Sequence, residues 1–277
     1  MVERNTEPDL VDTNSDLLLR GMLDRFHHRS YELEHLDRGD YSPEEYEGCI
    51  VELRRVNQWL GDARALRHTL FREIEKNALQ SFSLLDVGAG SGELLRVTAG
   101  WTRQAKRRVR AVGLELNERA TRAIIGESEE FKEISAVRGD ALHLPFADKQ
   151  FDYVICSLFT HHFVERQIIE ILREMSRVAR RKLFVIDLHR HPVAYFFYTT
   201  IGKLFLHNRL IREDGALSIL RGFKSEELLS LAEFAGLQNV SVTSHFPYRL
   251  VLSATASLRE LQQGGSSPDP SFAERAA

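Results

Sequence analysis

The sequence predicts an α/β protein, with a doubly wound, mostly parallel sheet preceded by an N-terminal helical extension. Three observations carry that reading. From residue 81 onward, short apolar or β-branched runs alternate with helical segments, as in a parallel sheet buried on both faces. Before residue 81 the apolar positions recur with a period near 3.6 and no strand signal intervenes. The first apolar run ends in "LLDVGAGSG" (84–92), where Asp86 is followed by Gly88, Gly90 and Gly92. Glycine there removes the Cβ atoms that would keep a ligand away from the backbone.

Taken in order, the chain opens "MVERNTEPDLVDTNSD", acidic and polar, which reads as a disordered leader over residues 1–12 and not as a signal peptide. In "DLLLRGMLDRF" the residues Leu18, Met22, Leu23 and Phe26 share one helical face. A longer helical stretch begins at "YSPEEYEG", with Ser42 as N-cap, Pro43 at the first helical position and Glu45 completing a capping box. Its apolar stripe runs through Cys49, Val51, Leu53, Val56, Leu60, Leu66 and Leu70, and Gly61–Asp62 divides it in two. Residues 1–80 thus form the extension.

The core is expected over 81–254. Its parallel strands are 82–87, 109–116, 133–139, 151–158 and 182–189, with helices at 92–105 and 164–179 the clearest between them. A helical insertion at about 191–222 and a helix over 224–237 follow. "NVSVTSHFPYRLVLSA" then reads as an antiparallel hairpin turning at Pro247. The tail 255–277, rich in Gly, Ser and Pro, is expected to be disordered.

Composition narrows the function classes. The chain has 277 residues, 43% hydrophobic and 28% charged, with a net charge of -3. It therefore exerts no general pull on nucleic acid or anionic lipid. The basic clusters Arg103, Lys106, Arg107, Arg108, Arg110 and Arg180, Arg181, Lys182 read as solvated faces leading into strands. Two separated cysteines, Cys49 and Cys156, make neither a disulfide framework nor a metal site, which suits a reduced, cytoplasmic protein. The greasiest stretch, 191–206, is too short and interrupted for the ~18–20 apolar residues of a membrane span. The sequence leaves the oligomeric state open.

The glycine loop is not a dinucleotide fingerprint. GxGxxG would need glycine at 93, and that residue is Glu93. An acid two residues before the first glycine repels phosphate and suits a ligand carrying an ammonium and a sulfonium. Two further acids lie where such a ligand needs them. Glu115 ends the second strand, where a carboxylate accepts from ribose hydroxyls, and Asp140 follows the third, where one accepts from an adenine amine.

On these residues the sequence resembles the class I S-adenosylmethionine-dependent methyltransferases. "LLDVGAGSGELL", "GLELN" and "GDALHLPFADKQFDYVICSL" match their successive motifs over residues 81–254. The resemblance implies a seven-stranded, mostly parallel Rossmann-like sheet with one antiparallel strand, and S-adenosyl-L-methionine as cofactor. It places Asp86, Gly88, Ala89, Gly90 and Gly92 under the methionine part. Glu115 and Leu116 come to the ribose, Asp140 and Ala141 to the adenine, and Ser157 and Leu158 to the same pocket. More narrowly, "LRRVNQWLG", "DGALSILRGF" and "HFPYRLVLS" are similar to the ubiquinone-biosynthesis-like branch and to methyltransferases associated with type III polyketide synthases. That implies a small apolar, phenolic or polyketide-like acceptor from secondary metabolism.

With the methyl already activated on sulfur, the protein mainly aligns the acceptor, a contribution of ~7–11 kcal/mol. A hydroxyl acceptor must also lose a proton, which invites a histidine base. "SLFTHHF" supplies His161 and His162 as catalytic candidates. His189 and Arg190 in "DLHRHP", with His245 nearer the end, are the substrate-binding candidates. Phe26, Trp59 and Leu60, with Phe196, Phe197, Tyr198 and Phe205 of the insertion, are expected to form a lid. O-methylation is the first expectation. C-methylation of a quinone precursor or polyketide carbon is the alternative, and a non-catalytic cofactor-binding protein the other class. Neither a basic groove nor an Asn-Pro-Pro-Tyr motif points to nucleic acid or protein as acceptor, and no metal is expected.

Overall fold

The computed structural model describes residues 24–42, 44–45, 48–49, 52, 61–202 and 206–258. The expected helix ahead of residue 24, the "LRRVNQWL" run with Trp59 and Leu60, Phe205, and the tail beyond 258 lie outside the described residues.

The sheet is organised by β1 (Ser81–Val87), buried at every position after the first. A strand with no polar face to show solvent must be central. It pairs in parallel with β2 (Arg108–Glu115) on one side and β4 (Phe151–Ser157) on the other. β3 (Ile134–Arg138), β5 (Ala179–Leu188), β6 (Leu237–His245) and β7 (Arg249–Leu258) complete seven strands in the order β3-β2-β1-β4-β5-β7-β6. β7 runs antiparallel to both neighbours, closing the expected hairpin with β6.

Because alternate side chains face opposite ways, Leu84 and Leu85 enter different cores. On one face Leu84, Tyr153 and Phe184 pack against α2, α3 and α4. α2 runs as Asp62–Leu66, passes through a π-helical turn Arg67–Phe71 and ends as Arg72–Lys76. α3 is Glu93–Gln104 and α4 is Glu118–Gly126. On the other face Leu85, Val154 and Val185 pack against α5 (Glu165–Val178) and α8 (Ser225–Phe234). The insertion between β5 and α8 holds α6 (Pro192–Thr200) and α7 (Arg209–Arg221), and α7 packs on the one-turn α1 (His35–Arg38).

Local expectations meet the structure at named atoms. The Ser42 amide donates to Glu45 Oε2 at 3.0 Å and the Glu45 amide to Ser42 Oγ at 3.2 Å, the reciprocal pair of a capping box. One boundary moves, since β7 continues through Leu258, past the expected core end at 254. The added residues pair with β6, where Leu237 stands opposite Leu258, so strand pairing overrides the polar composition. β1, β2, β3, β4 and β5 are parallel, so their carboxyl ends share one edge, and the candidate residues gather there.

Candidate active site

Gly88, Gly90 and Gly92 all take positive φ, at 70°, 54° and 82°. They serve different ends. A Cβ on Gly88 would stand 2.4 Å from the Phe159 ring, so its absence lets the residue after Leu158 lie across the loop. A Cβ on Gly90 would meet nothing within 4 Å, so that glycine faces open space. The Gly90 amide donates to Glu115 Oε2 at 3.1 Å, while Glu115 Oε1 accepts from the amides of Leu116 and Asn117. Glu115 thus ties the loop to the start of α4.

Asp86 lies beneath this loop, only 2% exposed, and its Oδ1 has no hydrogen-bond partner among the described residues. Burial, and then the charge of Glu115, push its carboxyl up to about 8. A cation brought to this oxygen would draw the proton off and satisfy the atom. Ser157 Oγ at the end of β4 is likewise buried without a partner among the described residues. Leu158 follows at φ 49°, a left-handed backbone that costs a leucine energy and is held by its amide bond to the Ile186 carbonyl. Asp140 is exposed beyond β3, Ala141 is buried next to it, and Leu116 is 62% exposed at the end of β2.

A second cluster stands at the ends of β4 and β5. The 3-10 turn Thr160–His162 directs the buried His161 ring at Asp187, with Nδ1 2.6 Å from Oδ1. Asp187 is wholly buried and also accepts from Thr160 Oγ1 and from the amides of His161 and Leu188. Burial pushes this carboxyl up, but the His161 charge and these hydrogen bonds outweigh it and hold it well below the carboxylate range. An ionised Asp187 makes Nδ1 the donor and leaves Nε2 as the working nitrogen. Nε2 faces Glu34, 3.9 Å from its Oε1. His162 lies alongside, its ring 4.3 Å from that of His161 and its Nδ1 3.4 Å from Asp37 Oδ2.

The stretch "DGALSILRGF", which carried only resemblance, builds this cluster. Asp214 accepts from the amides of His35 and Leu36, and Ser218 Oγ donates to Glu34 Oε1 at 2.7 Å. Arg221 donates to the carbonyls of His161, His162 and Glu32 and to Asp37. These three residues, four and three apart on α7, share one helical face. Glu34 and Asp37 belong to the N-terminal segment, and no periodicity or motif in the sequence singled them out.

The substrate-binding candidates separate. His189 follows β5, half-buried near Tyr248, and burial, then the neighbouring His191, lower its pKa. Arg190 is corrected. It is 1% exposed and spends its guanidinium on Glu227 and on the carbonyls of Phe26, His27 and Gly222, so it holds the scaffold and is not available to an acceptor. His245 stands apart from the histidine turn. It lies on the α2 face in a groove with His68, Arg72, Lys182 and Thr243, because its position on β6 points it there. Of the lid aromatics, Phe26 packs edge-on against Tyr195 and Tyr198 joins the small core around Leu210 and Ile211, whereas Phe196 and Phe197 are exposed.

The family described as a methyltransferase domain matches residues 85–186. A demethylmenaquinone methyltransferase of Roseiflexus sp. (strain RS-1) is 34% identical over 197 residues, 65% of this chain and 76% of that one. Among solved structures, the CurJ carbon methyltransferase has a TM-score of 0.59 at 12% identity, covering 91% of this chain and 72% of its own. An S-adenosylmethionine-dependent methyltransferase from Aquifex aeolicus has a TM-score of 0.50 at 16% identity, covering 72% and 91%. The chain belongs to the S-adenosylmethionine-dependent methyltransferase family.

The residues of this methyltransferase fit that cofactor. The orphaned Asp86 oxygen requires a hydrogen-bond donor, preferably cationic, and the bare face of Gly90 leaves room for one to approach. Glu115, already fixed through Oε1 by two amides, presents its carboxylate beside that space. No described helix is long and apolar enough to cross a membrane.

Proposed function

We propose that the enzyme methylates a small, apolar, hydroxylated acceptor of phenolic or polyketide-like type, with His161 as the base that takes the acceptor's proton. The observation carrying this reading is the buried His161–Asp187 pair, 2.6 Å apart at the carboxyl ends of β4 and β5. An ionised carboxylate on Nδ1 orients the ring and stabilises the imidazolium formed when Nε2 accepts a proton. S-Adenosylmethionine, when bound, supplies a methyl group activated by its sulfonium. Asp86 and the glycine loop hold the methionine end, Glu115 and Leu116 the ribose, and Asp140 and Ala141 the adenine, with Ser157 and Leu158 completing the pocket. The segment over 29–37, tied down by Arg29, Asp214 and Arg221, keeps water from His161.

O-methylation is the main outcome. Removing a ring hydroxyl's proton also enriches the adjacent ring carbon, so the same pair would serve C-methylation of a quinone precursor, and the name of the 34% identical relative supports that second outcome. The test supplies S-adenosylmethionine with alkylated phenols, pyrones and quinols and reads the methylated products by mass spectrometry. His161→Ala and Asp187→Asn are expected to lower kcat by ~10²–10⁴ while leaving S-adenosylhomocysteine affinity unchanged. Full-rate transfer by His161→Ala would sink the base assignment. Tight cofactor binding without transfer to any acceptor would instead favour a binding protein on this fold.

A further inference from the structure

The structure assigns a second capacity to the histidine turn: Glu34, His161 and His162 form a binding site for one divalent transition-metal ion. Their candidate ligand atoms all lie within 4.8 Å of one another. Zinc–ligand distances of ~2.0–2.2 Å put tetrahedral ligand atoms about 3.4 Å apart, so modest side-chain shifts would close the set. Each histidine has a carboxylate on its Nδ1 side, Asp187 for His161 and Asp37 for His162. That is the arrangement by which outer carboxylates fix a histidine's tautomer and aim Nε2 at a metal. Glu34 supplies the anion. It is 3% exposed, held by Ser218, and stands by the two imidazoles.

Two imidazoles and one carboxylate select zinc, cobalt or iron(II) over magnesium or calcium, which prefer oxygen ligands throughout. Access is from the His162 side, whose side chain is 30% exposed whereas those of Glu34 and His161 are each 4% exposed. The three protein ligands leave a fourth position for water or an acceptor oxygen. One consequence rests on the base role proposed above: an ion on Nε2 of His161 occupies the lone pair that would take the acceptor's proton. The metal-loaded enzyme is then the inactive form.

The test titrates the chelator-treated full-length chain with Co²⁺ and follows visible absorption, with Zn²⁺ as competitor. One ion per chain is expected, displaced by Zn²⁺, with uptake weakened at least tenfold by His162→Ala and by Glu34→Gln. Asp37→Ala, which removes the outer carboxylate and leaves all three ligands in the chain, should weaken uptake by ~10–100-fold. S-Adenosylhomocysteine binding, unchanged in every variant, certifies the fold. No stoichiometric uptake by a protein that binds S-adenosylhomocysteine overturns the site, as does full-strength uptake by either ligand variant. Zn²⁺ should also block methyl transfer and a chelator restore it. Undiminished transfer by the metal-loaded enzyme overturns the inactive form alone, because the cobalt spectrum reads the site whether or not an acceptor is known.

Discussion

On the proposed function, Asp86 concentrates the physics of cofactor capture in one side chain. Its carboxyl is pushed up to about 8 by burial and by Glu115, so it is largely protonated at neutral pH before a ligand arrives. An incoming ammonium favours the ionised form, and binding releases the proton. S-Adenosylhomocysteine affinity should therefore rise on the order of fifty-fold between pH 6 and 8 and then level off, with proton uptake by the buffer visible in calorimetry. Asp86→Asn should bind weakly and lose this pH dependence. Stability has the opposite sign. A folded-state pKa above the unfolded value gives stability that is complete in acid and lost as pH rises through about 8. The melting-temperature advantage of Asp86→Asn should accordingly grow between pH 5 and 8, and a flat difference would contradict the assignment.

At the scale of elements, the glycine loop and α7 do separable work. Gly88→Ala drives a Cβ into Phe159 and is expected to lower stability by a few kcal/mol, whereas Gly90→Ala meets open space and bears only a left-handed backbone cost of ~1–2 kcal/mol. Gly90→Ala should thus fold and lose cofactor affinity. Equal loss of melting temperature in both would refute that division. In α7, Arg221 joins the histidine turn to Glu32 and Asp37. Arg221→Ala should raise hydrogen exchange over residues 30–38 and lower kcat, with S-adenosylhomocysteine affinity unchanged. The glycine loop was legible from spacing alone because its chemistry lies in the backbone of consecutive residues. The α7 stripe was visible only as a resemblance, since Asp214, Ser218 and Arg221 act on residues some 180 positions away.

For the molecule as a whole, buried cations tie the added segments to the sheet. Arg190 joins the N-terminal segment to α8, and Arg249 on β7 pairs with Asp62 at the start of α2. Removing Arg190 leaves the carbonyls of Phe26, His27 and Gly222 without their donor, so Arg190→Leu should cost on the order of 3 kcal/mol in urea unfolding. Were it an acceptor ligand instead, KM would change with stability intact. By itself the sequence determined the alternation of strands and helices, the crossing glycine loop and the acids at successive strand ends. Those features repeat with short periods, and strand burial and turn chemistry act between near neighbours. Only the tertiary structure decided which carboxylate each histidine meets, that Arg190 is spent inside the scaffold and that His245 faces another groove. It alone brought Glu34 and Asp37 to the histidine turn. The physical reason is that these contacts join side chains distant in sequence, 26 residues apart for His161 and Asp187 and 125 for Asp37 and His162, through packing that no local pattern encodes.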